Sequence, residues 1–114
     1  MRMWMLEARF LCNSHILGEH SELHKHKHNF VKGHKMTGRI SPIVQIEPSS
    51  MQTRHDELAA EMLARGLNHK SPYEQPDLGK YSSEVINAKV DLEVSKNTLI
   101  ERCEKCRQRI LESN

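Results

Sequence analysis

Hydrophobic positions along the chain form two helical stripes, one ambiguous run and a further helical stretch towards the C-terminal end. From Asn13, a residue type that caps helix N-termini, Ile16, Leu23, Phe30 and Val31 recur at helical spacing and predict a first helix over about residues 13–34. Gly33 and Gly38 mark its end. Residues 35–48 carry Gly38, Pro42 and Pro48 around a short β-like run, Ile43-Val44-Gln45-Ile46, and read as an extended connection. Ser49 or Ser50 then caps a second helix whose stripe is Met51, His55, Leu58, Ala59, Met62 and Leu63, with Gly66 as its C′ residue. Residues 67–81, with Pro72, Pro76 and Gly79, are expected to be irregular. Ile86, Ala88, Val90, Leu92 and Val94 alternate with polar residues as in a strand, yet Ile86, Val90 and Val94 also fit i, i+4. Residues 84–95 therefore stay open between strand and helix. Thr98 with Glu101 resembles a capping box, and Leu99, Ile100, Cys103, Ile110 and Leu111 predict a last helix to about residue 112.

Composition narrows the architecture. A chain of 114 residues with 37% hydrophobic and 28% charged content suits one domain and excludes a multidomain enzyme or a long repeat array. Aromatics are limited to Trp4, Phe10, Phe30, Tyr73 and Tyr81, so the core must rest on Leu, Ile, Val, Met and Ala, which suits packed helices. Trp4, Phe10 and Cys12 are expected in that core. No apolar run is long enough to span a bilayer and the first residues do not form a signal peptide, so a cytoplasmic protein without a membrane partner is expected. Three cysteines, Cys12, Cys103 and Cys106, make reduced thiols the default. The bulky Arg2 blocks removal of the initiator, so Met1 is expected to present its own α-amine.

Net charge is only +2, but it is unevenly placed. Between His20 and Arg39 lie five Lys or Arg, five His and a single acid, Glu22, which makes this window the expected anion-binding surface. On the first helix His15, Glu19, Glu22 and His26 share a face that the apolar stripe does not occupy. A carboxylate flanked by imidazoles suits acid/base chemistry; the same residues also read as solvated charges paired along a helix.

The stretch Ser14-His15-Ile16-Leu17-Gly18-Glu19-His20-Ser21-Glu22-Leu23 resembles the catalytic helix of the phage-type pyrimidine-dimer DNA glycosylases. Ile40-Ser41-Pro42 is similar to the family's Ile-Ser-Pro, and the run from Arg54 to Asn68 to its second helix with an Arg-Gly-x-Asn ending. Ala88-Lys89-Val90-Asp91 looks like the start of its third helix. The likeness covers about residues 1–95 of a single 1–114 domain; residues 96–114 diverge into a Cys-containing helix. The family's aromatic C-terminal segment has no counterpart after Asp91, and Ser21 and Lys25 stand where the family has Arg.

The resemblance implies a mostly α, compact single-domain bundle of about three helices, with the N-terminal segment threaded between them so that Met1 lies beside Glu22. It implies a DNA repair glycosylase with abasic-site lyase activity, with pyrimidine dimers as the expected lesion. Met1 supplies the α-amine nucleophile and Glu22 the catalytic carboxylate. Arg2, His15, Ser21, Lys25, His26, Lys32 and Lys89 form the expected DNA-contacting set. No cofactor or metal is implied. The partner is double-stranded DNA containing damaged or abasic sites, and the protein is expected to be monomeric.

Other patterns compete. The basic helix also fits a non-catalytic nucleic-acid-binding module. His20, His24 and His28 form a stripe that suits either zinc or a solvated, DNA-facing surface. His55-Asp56-Glu57 with Cys103-x-x-Cys106 partly matches the signature of zinc-dependent nucleobase deaminases, although Arg102 occupies the Pro position. The Cys pair alone reads as one packed and one surface thiol, or as half of a metal site closed by another subunit.

Overall fold

The computed structural model describes residues 2–69 and 72–112. Among them there are five helices and no strand: α1 Asn13–Val31, α2 Met51–Ala64, α3 Ser83–Ile86, α4 Leu92–Arg102 and α5 Glu104–Glu112. Mostly α architecture is thus what the periodicity expects, with two more helices than expected because the C-terminal part is divided.

Both long helices stop for the same reason. After α1 Gly33 takes φ +74°, and His34 N–H donates back to Asn29 O at 3.0 Å; after α2 Gly66 takes φ +76°, and Leu67 N–H donates to Met62 O at 2.8 Å. Glycine admits the left-handed turn that this reversal requires, and it ends α1 at Val31 instead of residue 34. The N-termini differ from expectation. Asn13 does not cap α1; Cys12 occupies that place in extended conformation, and Asn13 Oδ1 instead accepts from Arg65 Nη1 at 2.9 Å. Arg65 also donates to Leu11 O at 2.7 Å, tying the end of α2 to the start of α1.

The apolar cluster gathers Leu11, Ile16, Leu23 and Phe30 from the α1 side, Met51, Leu58 and Met62 from α2, and Leu99, Cys106 and Ile110 from the C-terminal helices. Leu63, assigned to the α2 stripe by spacing, is exposed, and Arg54 takes a buried place beside that stripe. Arg54 Nε and Nη2 donate to Glu19 Oε2 at 2.6 Å and Oε1 at 3.0 Å, while Nη1 donates to Leu6 O at 2.6 Å. Both side chains are within 1% of full burial. The bidentate fork offsets the desolvation of two charges and joins α1, α2 and the N-terminal segment at one point.

That segment runs into the core from Met3 onward, and its expected placement of Met1 beside Glu22 lies outside the described residues. Met3 is fully buried, its N–H donates to Gln45 O at 2.7 Å, and its Sδ accepts from Glu47 N–H at 3.2 Å. Residues 43–46 therefore support the N-terminus through one backbone bond and do not form a strand.

Residues 84–95 are not one regular element: both ends are helical, in α3 and α4, and residues 87–91 between them are irregular. α3 is a single short turn, Ala88 and Val90 are buried on either side of exposed Lys89, and Asp91 Oδ1 then caps α4 by accepting from Glu93 and Val94 N–H at 3.0 and 3.2 Å. Thr98 is consequently an interior residue of α4, its hydroxyl donating to Val94 O at 2.7 Å, and is no cap. The break before α5 falls at Cys103, which adopts φ −131°, ψ 107°.

Arg54→Met should lower unfolding free energy by about 3–5 kcal/mol, because it strands the buried Glu19 carboxylate. Adding Glu19→Leu to that variant should recover part of the loss. Urea denaturation of the two variants measures both; an Arg54→Met protein as stable as the parent would refute this role.

Candidate active site

Three elements meet around a cavity of about 290 Å³: Arg2 and Trp4 from the N-terminal segment, Ser14, His15, Gly18, Glu19 and Glu22 from α1, and Arg102 from the end of α4. Gly18, one turn before Glu22, leaves that stretch of the wall without a side chain. The Arg2 guanidinium lies 4.7 Å from the Trp4 ring centre, and Trp4 meets the His15 ring edge-on at 5.7 Å. Trp4 thus packs against the core and lines the cavity as well.

Among the described residues that line the cavity, Glu22 is the carboxylate not consumed by a buried ion pair, since Glu19 is held by Arg54. Its side chain is 18% exposed, Oε1 lies 3.5 Å from Lys25 Nζ, and Oε2 is buried with no hydrogen-bond partner among the described residues. Arg2 and Arg102 face the same space, and partial burial, with the charge of Arg102 second, draws the Arg2 guanidinium below its ordinary range. The two guanidinium groups make the cavity attractive to a phosphodiester, with the Glu22 carboxylate beside it. Burial also lowers the His15 pKa, against the opposing charge of Glu19.

Arg2 also lines a second cavity of about 220 Å³, with Pro42, Ile43, Val44, Lys89, Asp91 and Val94. Ser21 and Lys25 border a shallow groove with His24, His28, Asn29 and Arg39. Lys32 is exposed just past α1 and lines neither cavity nor groove. Arg2, His15 and Glu22 are therefore brought together, with Ser21, Lys25 and Lys89 on adjoining surfaces. Met1 lies outside the described residues. Arg102 was missed by sequence reasoning, because nothing local in α4 signals a partner on the N-terminal segment.

His26 departs from expectation. It is fully buried, so the face shared by His15, Glu19, Glu22 and His26 turns inward, and the expected DNA contact from His26 does not hold. Neither ring nitrogen has a hydrogen-bond partner among the described residues, and desolvation pushes the pKa down to about 4 in spite of Glu22.

The remaining histidines and the cysteines separate into two groups. His20 and His24 of the proposed stripe join His55, not His28; their ring nitrogens lie within 4.8 Å of one another. His69 approaches the same group, with Nε2 3.2 Å from His55 Nε2. Burial, then the charges of His55, His24 and His69, lowers the His20 pKa to about 4. The donor atoms of Cys12, His15, Cys103 and Cys106 likewise lie within 4.8 Å of one another. Burial pushes the Cys106 thiol up to about 12. His55 and the Cys pair thus belong to different clusters, and no strand occurs among the described residues, which overturns the deaminase reading.

A family model described as pyrimidine dimer DNA glycosylase matches residues 1–75. The chain belongs to this family. No curated protein and no solved structure matches it significantly. The matched region of this DNA glycosylase contains α1, α2 and the N-terminal segment, whereas Lys89, Arg102, Cys103 and Cys106 come from beyond it. No helix among the described residues is long and apolar enough to cross a membrane.

The histidines set a pH dependence. With pKa values of about 4 in the folded state against about 6.5 when unfolded, His20 and His26 take up protons more readily on unfolding. Their contribution to stability is complete above about pH 6.5 and is lost as pH falls towards about 4. His26→Leu should flatten this acid limb and raise the urea midpoint at about pH 5 above that of the parent. Parallel acid limbs in the two proteins would show that His26 carries none of it.

Proposed function

We propose that the chain is a bifunctional repair enzyme that removes a damaged base and then nicks the strand, using the Met1 α-amine as nucleophile and Glu22 as its carboxylate partner. The observation that carries this reading is that Arg2, covalently next to Met1, lines the same cavity as Glu22, whose Oε2 has no hydrogen-bond partner among the described residues. An α-amine has an ordinary pKa of about 7.7–8.0, so a neutral, nucleophilic fraction exists near neutral pH without the large shift a lysine needs.

The amine nitrogen bonds to the sugar C1′ as the glycosidic bond breaks, the electron pair leaving with the base. Loss of the amine proton and opening of the sugar ring give an imine. Removal of a C2′ proton then expels the 3′ phosphate by β-elimination. Glu22 stabilises the cationic sugar and imine species and accepts protons, while Arg2 and Arg102 neutralise the flanking phosphates and His15 helps to orient them. Lys25, Lys32 and Lys89 extend the basic contact along double-stranded DNA, and Ser21 borders it. Reaching C1′ requires an extruded nucleotide, and a lesion that already weakens stacking, such as a pyrimidine dimer or an abasic site, lowers that cost.

Borohydride added to untagged protein with an abasic or UV-irradiated duplex should leave a covalent adduct at Met1. Normal DNA binding without any adduct would instead establish a binding module. Glu22→Gln should slow strand cleavage about 100-fold or more while leaving affinity close to that of the parent, and undiminished nicking would remove Glu22 from its role. Lys25→Ala and Lys89→Ala should each reduce the slope of log affinity against log salt by about one. An unchanged slope would place that lysine off the DNA.

A further inference from the structure

Two helices begin side by side with the same pattern. Cys12 is the N-cap of α1 and His15 lies three residues on; Cys103 directly precedes α5 and Cys106 lies three residues on. Side chains at N-cap and N3 converge at a helix start, the geometry that capping boxes exploit. Here both pairs converge on one point, although about 90 residues of chain separate them.

The separations fit a tetrahedral metal. Cys12 Sγ is 3.8 Å from Cys103 Sγ and 3.2 Å from His15 Nδ1, and Cys106 Sγ is 3.4 Å from the same nitrogen. Zinc bonds of about 2.3 Å to sulfur and 2.0–2.1 Å to nitrogen give tetrahedral edges of about 3.8 Å between sulfurs and about 3.6 Å between sulfur and nitrogen. The cysteines are free thiols, and a disulfide would demand a separation of about 2.05 Å.

Two further features suit thiolate ligands. Cys12 N–H donates to Cys106 Sγ at 3.2 Å and Cys106 N–H to Cys103 Sγ at 3.4 Å, while the positive ends of α1 and α5 both face the cluster. The α4–α5 break is the second. No glycine or proline accounts for it, yet the extended backbone at Cys103 brings that thiol into the set.

We propose that Cys12, His15, Cys103 and Cys106 form a closed structural zinc site that clamps the start of α1 to the start of α5. Four protein ligands leave no open coordination position, so the ion holds structure and does not act on substrate. A set of three sulfurs and one imidazole favours zinc over magnesium or manganese. Binding releases the thiol protons, and the filled site carries a net charge of about −1; Lys105, Arg109 and Glu112 line a surface cavity beside Cys12. Ligation through Nδ1 fixes the other His15 nitrogen as an N–H donor for the cavity that His15 lines. The clamp also holds Arg102, next to Cys103, at that cavity, so a segment outside the family match completes the site.

The test reads the metal itself and stands apart from DNA cleavage. Untagged protein refolded with zinc under reducing conditions and then desalted should carry about one equivalent by elemental analysis. Cobalt in its place should show thiolate-to-metal charge-transfer bands and the intense visible bands of tetrahedral geometry. Chelation should lower the thermal midpoint, and Cys103→Ser should reduce zinc to below about a tenth of an equivalent. Cys103→His, which keeps a ligand at that place, should retain the metal. Wild-type protein that holds no zinc would overturn the proposal without recourse to any variant. So would a cobalt spectrum lacking sulfur bands, or zinc that survives Cys103→Ser and is lost from a His20→Ala/His55→Ala double variant, since the ion would then sit on the imidazole cluster.

Discussion

The structure turns on the buried ion pair between Arg54 and Glu19. One guanidinium satisfies both oxygens of a carboxylate on α1 and the carbonyl of Leu6, so three separate stretches of chain depend on one side chain of α2. Removing two charges from water is costly, and a chain with few aromatics has a modest apolar core to draw upon. The cost is offset because three of the guanidinium donors find charged or carbonyl acceptors in the interior, two of them as a bidentate fork on Glu19. The geometric return is that α1 is fixed in rotation, which sets Glu22, three residues beyond Glu19, at the cavity edge.

The electrostatics of the cavity follow from that division of labour. Glu19 is neutralised by Arg54, and Glu22 remains as the carboxylate with an unpartnered oxygen between Arg2, Arg102 and Lys25. The cations around it draw phosphate to the cavity. Beneath it the buried His26 stays neutral, so the interior of α1 adds no competing positive charge near neutral pH. The N-terminal strap supplies Arg2 because Met3 and Leu6 are buried on either side of Trp4 and Met5, which fixes its course across the core.

Much of this was legible in the sequence. The 3.6-residue stripes of Ile16, Leu23 and Phe30 and of Met51, Leu58 and Met62 report burial directly, and Gly33 and Gly66 report helix ends, because few other residues tolerate the left-handed turn. The inward side of α1 was misread where its residues are polar. Glu19 and His26 look solvent-facing by composition, and only a partner 35 residues away makes burial of Glu19 possible. The alternation over Ile86 to Val94 was real for Ala88, Lys89 and Val90 but too short to carry a strand, and the Asp91 cap overrode it. The Thr98 box failed because a cap requires a preceding non-helical residue, and α4 had already begun six residues earlier, at Leu92.

By itself the sequence determined the helical class, the two principal helices, the basic window around Glu22 and membership of a DNA glycosylase family, all of which rest on local periodicity, charge and motif. Tertiary structure decided which polar residues face inward, that Arg102 completes the cavity, and that Cys12 and His15 meet Cys103 and Cys106. These are contacts between residues distant along the chain. They depend on the relative rotation and translation of helices, which many residues set jointly and no local pattern encodes.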